Sequence, residues 1–352
     1  MKDVYFWPSA LCVNKDDIWF IYGKIPVLCK YNISDKKVDV ICGLPNDDIY
    51  RESLYEDMIF VNNKLFIIPC WADNIIVYSV ETGELVTLEI EKSNILKFSK
   101  AFLYGEKIIC VPYAYSYILS VDVNNLFINI EYDLEDIKKA NNIIYFNDCG
   151  RIDDENIIIV SPQNKGIFVY NIKYKTISNL SNGENENLYS SVVITENYIF
   201  ICSNRDRSIV RYSVLLKKIT GEWWPDNKEM ISIMSGGNKE IIVDDVKSSW
   251  VGIYDENFQL INEDCSNEID NRNLYYSYMH GISKIDNGIT YYFNNANATL
   301  VTYIDGQVKI KEKIIITEEC KHKIQKIVME NYKENVLYES DLFSVCSYVK
   351  AL

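Results

Sequence analysis

Short apolar runs recur along the chain. They begin at Ile18 (IWFI), Leu65 (LFII), Ile108 (IICV), Ile157 (IIIV), Ile199 (IFIC), Ile241 (IIV) and Ile289 (ITYY). A second apolar stretch follows each run and carries a tyrosine or valine at a corresponding place: Tyr31, Tyr78, Val121, Tyr170, Tyr212, Tyr254 and Tyr303. Successive anchors are 47, 43, 49, 42, 42 and 49 residues apart. The runs lack the 3.6-residue periodicity of a helix and are bounded by turn residues, so they read as strands.

Each unit has the same internal order. A mixed strand leads into a turn rich in Asn, Asp, Gly or Lys (VNNK, YGEK, TENY, GGNK, IDNG). The apolar strand comes next, followed by a polar or aromatic loop and then the tyrosine strand. A second turn (ETGE, DVNN, IDGQ) leads to a more polar closing strand. Gly and Asn supply the positive φ that tight hairpins need. Near-continuous apolar strands are covered on both faces, and the polar alternation of the closing strands places these at the water. Four-stranded units with a period of about 45 residues predict an all-β, seven-bladed β-propeller. The recurrent tyrosine is then a packing residue between blades. A parallel β-helix has much shorter coils, and a helical solenoid would show helical periodicity.

After Thr317 the rhythm stops. EECKHKIQKIVMENYKEN has helical spacing at Ile324, Ile327 and Val328, and ESDLFSVCSYVKAL repeats such a stripe from Leu342 to Val349 behind a Ser340 cap. The expected organisation is a propeller over 1–317 and a C-terminal helical tail over 318–352 packed on it, with docking of a partner protein as that tail's alternative role.

The repeats resemble the β-propeller superfamily over about residues 4–316. YSVETGELVTL, from Tyr78, is similar to the Y-D-x-x-T-G-K-x-x-W repeats of quinoprotein-like propellers, and SGGNKEIIV, from Ser235, resembles the double glycine of kelch repeats. No WD dipeptide closes the blades, and the S-x-D-x-G-x-T-W box of sialidases is missing. The resemblance implies a fold and no particular activity.

Composition narrows the function classes. The formal net charge is −14, with signs well mixed, which argues against nucleic acid and anionic membrane as partners. MKDVYFWPSALCV lacks the apolar run of a secretory signal, and no window of about 18 apolar residues suggests a membrane span. Ten cysteines stand without a CxxC pair, and His280 and His322 are the only histidines. These features predict buried free thiols in a reducing cytoplasm, and neither a metal site nor a cofactor.

Two sets of positions are candidate sites. Nine residues before each apolar run stand Ser9, Glu56, Ser99, Asp148, Ser190, Ser232 and His280. On the innermost strands they would line a wet central channel, where Glu56, Asp148 and His280 could perform general acid–base chemistry in a lyase or hydrolase. The second set is the loop between apolar and tyrosine strands, which supplies Trp71, Tyr113, Tyr115, Asn164, Arg205, Arg207, Trp250 and Asn294 for ligand binding. Aromatic faces beside amides and guanidiniums suit a protein, peptide or glycan. The expected function is therefore a non-catalytic binding or scaffold module, with the channel enzyme as the alternative. The adjacent Trp223 and Trp224 must point to opposite faces of their strand, so one can pack between blades while the other is exposed or covered by a partner.

Overall fold

The computed structural model describes residues 8–22, 25–45, 54–163, 166–180, 189–203, 207–216, 218–225, 231–237, 239–245, 250–265, 282–294, 299–305 and 307–331. Its strands form seven four-stranded antiparallel sheets, each running in sequence order from its first strand to its fourth. They are the blades of a seven-bladed β-propeller.

Blade 1 contains β1 (Pro8–Asn14), β2 (Asp17–Tyr22), β3 (Val27–Asn32) and β4 (Lys37–Gly43). Blade 2 contains β5 (Tyr55–Val61), β6 (Lys64–Pro69), β7 (Asn74–Ser79) and β8 (Leu85–Glu89). Blade 3 contains β9 (Phe98–Tyr104), β10 (Lys107–Pro112), β11 (Tyr117–Asp122) and β12 (Ile128–Asp133). A short helix, α1 (Glu135–Ala140), precedes blade 4, which contains β13 (Asp148–Arg151), β14 (Asn156–Val160), β15 (Ile167–Asn171) and β16 (Thr176–Asn179). Blade 5 contains β17 (Tyr189–Ile194), β18 (Tyr198–Ser203), β19 (Ile209–Ser213) and β20 (Lys218–Trp223). Blade 6 contains β21 (Ile231–Ser235), β22 (Glu240–Asp245), β23 (Trp250–Asp255) and β24 (Leu260–Cys265). Blade 7 contains β25 (Ile282–Asp286), β26 (Ile289–Asn294), β27 (Thr299–Ile304) and β28 (Gln307–Lys313), and α2 (Glu318–Asn331) follows.

The chain divides into two compact units, residues 1–97 with 313–352, and residues 98–312. In the first unit β1 lies beside β5, and α2 lies against β4. In the second, β9, β13, β17, β21 and β25 lie side by side in that order.

The repeat has a structural cause. In blades 1 to 6 the anchor residue pairs across the sheet with the first residue of the apolar run: Ile18 with Tyr31, Leu65 with Tyr78, Ile108 with Val121, Ile157 with Tyr170, Ile199 with Tyr212 and Ile241 with Tyr254. In blade 7 the pairing moves by one, and Thr290 faces Tyr303. Six of the seven anchors are buried and Tyr212 is half-buried, as expected of packing residues. Closing strands β8, β16 and β28 are largely exposed.

Cores lie between sheets. Ile109, Val111 and Ile118 of blade 3 pack with Ile157, Ile159 and Tyr170 of blade 4. Phe200 and Ile209 of blade 5 pack with Ile241, Val243 and Trp250 of blade 6. Burial on both faces explains the unbroken apolar runs, and each buried side chain of this size contributes about 1.5–3 kcal/mol.

The tail helix matches its sequence pattern. Ile324 and Val328 are buried, and the Thr317 hydroxyl accepts the Cys320 N–H at 3.2 Å to cap the first turn. Cys320 also reaches the Val38 carbonyl of β4 at 3.3 Å. The stripe from Leu342 to Val349 lies outside the described residues. Helix α1 has no counterpart in the sequence reading. It occupies the 49-residue interval between Val121 and Tyr170, so the longer spacing there belongs to a connection between blades.

The eight cysteines whose side chains are described are free, seven of them buried and Cys42 partly so. Burial pushes the Cys29 thiol well above its ordinary value and that of Cys42 up to about 11. No helix among the described residues is long and apolar enough to cross a membrane.

A charged cluster joins blades 3 and 4. Glu131 of β12 is buried and accepts from Ser120 at 2.6 Å, Lys107 at 3.2 Å and Lys175 at 2.7 Å. Burial raises its pKa, and the bonds from Lys175, Ser120 and Lys107 outweigh that, leaving it below the ordinary value. Such a carboxylate stabilises the fold above an unfolded pKa of about 4.3 and loses that contribution as the pH falls through the lowered folded value. Glu131→Gln is therefore expected to flatten the acid limb of stability below an unfolded pKa of about 4.3, read as urea midpoint against pH. An acid limb as steep as that of the parent chain would refute this linkage.

Candidate functional site

The polar positions nine residues before each apolar run fall on first strands: Ser9 on β1, Glu56 on β5, Ser99 on β9, Asp148 on β13, Ser190 on β17 and Ser232 on β21. His280 lies outside the described residues. Several of these positions carry an irregularity that the apolar pattern does not reveal. The pairing with the second strand slips between Pro8 and Leu11, between Tyr55 and Asp57, between the partners Phe98 and Lys100, and between Tyr189 and Ser191. Glu56, Ser99 and Ser190 are thereby the extra residues of β-bulges, which re-aim side chains at strand ends.

The candidates differ in environment. Glu56 is exposed, whereas Ser99 is buried. Ser99 donates to the Val111 carbonyl at 3.4 Å, and Ser190 to the Cys202 carbonyl at 3.2 Å. Asp148 is heavily engaged. One oxygen pairs with Lys100 Nζ at 2.6 Å and accepts the Cys149 N–H at 2.8 Å, while the other accepts the Val192 N–H at 2.9 Å. The carboxylate thus ties together β9, β13 and β17. The Cys70 thiol, near Glu56 in blade 2, is pushed well up by burial, then further by Glu56, with Lys97 pulling the other way. It is no thiolate nucleophile at neutral pH.

The loop candidates also divide. Tyr115 is buried, with its ring edge-on to Phe98 at 5.7 Å and to Tyr117 at 5.4 Å. Trp250 is the first residue of β23 rather than part of the loop before it; it is buried and donates from Nε1 to Glu263 Oε1 at 2.5 Å. Its place in the strand follows from its pairing with Asp245 of β22. Trp71 is half-buried against the core between blades 1 and 2. Arg207 is exposed in a left-handed backbone conformation, φ 60°. Asn164, Arg205 and the side chain of Asn294 lie outside the described residues.

Tyr113 takes part in a platform. Its ring stacks on Tyr145 with centroids 5.0 Å apart and planes 4° from parallel, and its hydroxyl donates to Asn147 Oδ1 at 3.2 Å. Asn147 in turn donates to the Ser190 carbonyl. The Gln163 side chain accepts the N–H groups of Ile144 at 2.8 Å and Tyr145 at 3.3 Å. Ile144, held in this way, is 71% exposed. Helix α1 flanks the platform: Lys138 donates to the Ala114 carbonyl at 2.6 Å, and burial lowers its pKa. Gln163 belongs to the loop set read from the sequence, whereas Tyr145 and Ile144 escaped it because they lie in the lengthened connection after blade 3. Two further residues it missed are Asp244 and Asp245, both buried at the end of β22. They lie opposite Ser232 and Ile231.

The tryptophan pair separates as the strand geometry requires. Trp223 packs against Tyr254 at 4.6 Å and Phe258 at 5.4 Å, whereas Trp224 is 52% exposed.

These features define a β-propeller protein. Known structures share the fold. Virginiamycin B lyase from Staphylococcus aureus is 12% identical, with 84% of this chain and 96% of that chain covered at a TM-score of 0.64. Hsv2 from Kluyveromyces lactis is 12% identical, covering 88% of this chain and 99% of its own at 0.55. The Swd1 β-propeller domain from Myceliophteria thermophila is 9% identical, covering 82% and 93% at 0.55. At such identities the likeness is one of fold alone. No protein-family model and no curated protein matches the sequence.

Proposed function

We propose that this propeller is a non-catalytic binding or scaffold module that takes a protein or peptide segment on its loop face. The observation that carries this reading is the platform of Tyr113, Tyr145 and Ile144. Two stacked aromatic rings are held by hydrogen bonds beside an aliphatic side chain that is 71% exposed. Rigid aromatic and aliphatic anchors lose little freedom on binding and dominate interface energetics. An exposed isoleucine suits an apolar peptide side chain better than a sugar, whose hydroxyls need partners.

The test uses peptides selected from a displayed library on the purified chain, with affinity read by fluorescence anisotropy. Ile144→Asp is expected to weaken the selected peptides at least about tenfold while leaving the melting temperature unchanged. Failure to select any saturable peptide, or equal affinity for the variant, would sink the proposal; selective capture on a glycan array would replace it with carbohydrate recognition.

The competing reading is a lyase or hydrolase drawing on Glu56, Asp148 and His280. Glu56 supports it with an exposed carboxylate on a bulge. Asp148 weighs against it, because its carboxylate is already engaged by an ammonium and two backbone N–H groups that join three strands. A turnover of the purified chain that Glu56→Gln abolishes, with peptide affinity intact, would favour the enzyme.

A further inference from the structure

The outer edge of blade 5 is unlike the other described outer strands. Within eleven residues it exposes Val214, Leu215, Leu216, Ile219 and Trp224, with Leu215 at 88% and Leu216 at 58%. The remaining outer strands and their flanks expose at most two large apolar side chains each (Phe127 and Ile130 flank or lie on β12, and Leu260 and Ile261 lie on β24), and β4 exposes none. Strand β20 pairs with β19 on one side only, so its other edge carries unpaired backbone groups. Edge strands of this kind pair readily with another strand unless charge or shape prevents it.

Lys218 and Glu222 are the charged residues of β20. Both are exposed, and neither has a partner among the described residues. Their placement is self-complementary. If a second β20 runs antiparallel to the first with the two-fold axis at Thr220, Lys218 of each copy faces Glu222 of the other. Ile219 then faces Gly221, which offers no side chain to obstruct it. Beyond the strand ends, Leu216 faces the exposed Trp224. The bulged Thr220 sits on the axis, and its hydroxyl and carbonyl are already held by Arg211 at 3.3 Å and 3.4 Å. Pairing therefore runs through the residues on either side of it. Directly opposed unlike charges and apolar pairs both stabilise antiparallel strands, and a two-fold contact uses each pair twice.

We propose that the outer edge of blade 5 is a homodimer interface, formed by antiparallel apposition of β20 from two copies with Lys218 opposite Glu222 and Leu216 opposite Trp224. A lysine-guarded edge that stays solitary is the simpler alternative, but the exposed apolar cluster and the matched charge spacing go beyond what guarding requires.

Sedimentation equilibrium of the full chain over a micromolar concentration range tests this. A dimer is expected. Lys218→Glu, which places like charges opposite each other in two symmetric pairs, is expected to weaken dimerisation about tenfold or more. Glu222→Lys should do the same, and the double exchange Lys218→Glu with Glu222→Lys should restore association to within about threefold. All three changes are exposed, and far-UV circular dichroism with melting temperature checks that the variants fold. A parent chain that is monomeric throughout the range overturns the proposal. So does a dimer that the single charge reversals leave intact, or that the double exchange fails to restore.

Discussion

Asp148→Ala is expected to lower the unfolding free energy by about 3 kcal/mol. The side chain is 13% exposed and serves two backbone N–H groups on adjacent first strands, those of Cys149 and Val192. Each hydrogen bond to a charged acceptor is worth about 1.5–3 kcal/mol, and a buried donor left without a partner carries a desolvation cost as well. Lys100 adds little, because at 39% exposure its ammonium can return to water. Asp148→Asn keeps an acceptor oxygen for one N–H and should lose about half as much. Urea denaturation of the three proteins measures this directly. A midpoint for Asp148→Ala equal to that of the parent chain would show that the carboxylate does not clamp β9, β13 and β17 together, and would return it to the list of acid–base candidates.

Asp73→Ala should have an effect of similar size for a different reason. Lys97 lies in the connection leaving blade 2, and its side chain is fully buried. The ammonium donates to Asp73 Oδ1 at 2.7 Å and to the Ser93 carbonyl at 3.3 Å. Removing the carboxylate leaves a buried cation with one neutral acceptor, which costs about 3–5 kcal/mol. The lower end applies, since Asp73 is 35% exposed and water can enter where it stood. Replacing both partners, with Lys97→Met added to Asp73→Ala, should recover most of the loss, because an apolar side chain of similar volume suits a buried site at least as well as a buried ion pair. The double-mutant cycle, measured by urea denaturation, therefore has a large coupling energy if the pair is as drawn. Additive losses in the two single variants would contradict it.

Much of the fold was legible because a hairpin transmits its register to the sequence. Ile18 and Tyr31, or Ile157 and Tyr170, keep the same separation because they face each other across two strands joined by a loop of nearly constant length. A chain that builds each blade around the same hairpin repeats that spacing, and composition bias does not produce it. The tail helix was legible at Ile324 and Val328 for the analogous reason, a periodicity set by one apolar face.

The site was less legible, and the misleading residues share a cause. Tyr115 and Trp250 read as loop aromatics, yet each lies where a loop meets a strand, and there the backbone turns the ring inward. Lys97 and Glu131 carry no signal in the sequence pattern, because only the fold supplies the partners that allow them to be buried. Bulges at Glu56 and Ser190 add one residue to a strand without altering its apolar pattern, so they leave no trace in hydropathy. The platform residue Ile144 sits in a segment that interrupts the repeat, and an interruption has no template against which to be read.

That interruption has a consequence for the evolution of the chain. Helix α1 contributes no buried residue, although Leu134 before it and Ile143 and Phe146 after it are anchored in the interior. The segment between these anchors is consequently a tolerant splice point: residues can be gained or lost around Ala140 without shifting any strand of the flanking sheets. The same seven-sheet scaffold could thus acquire a new recognition loop in a single insertion, at the place where this protein already carries the exposed Ile144.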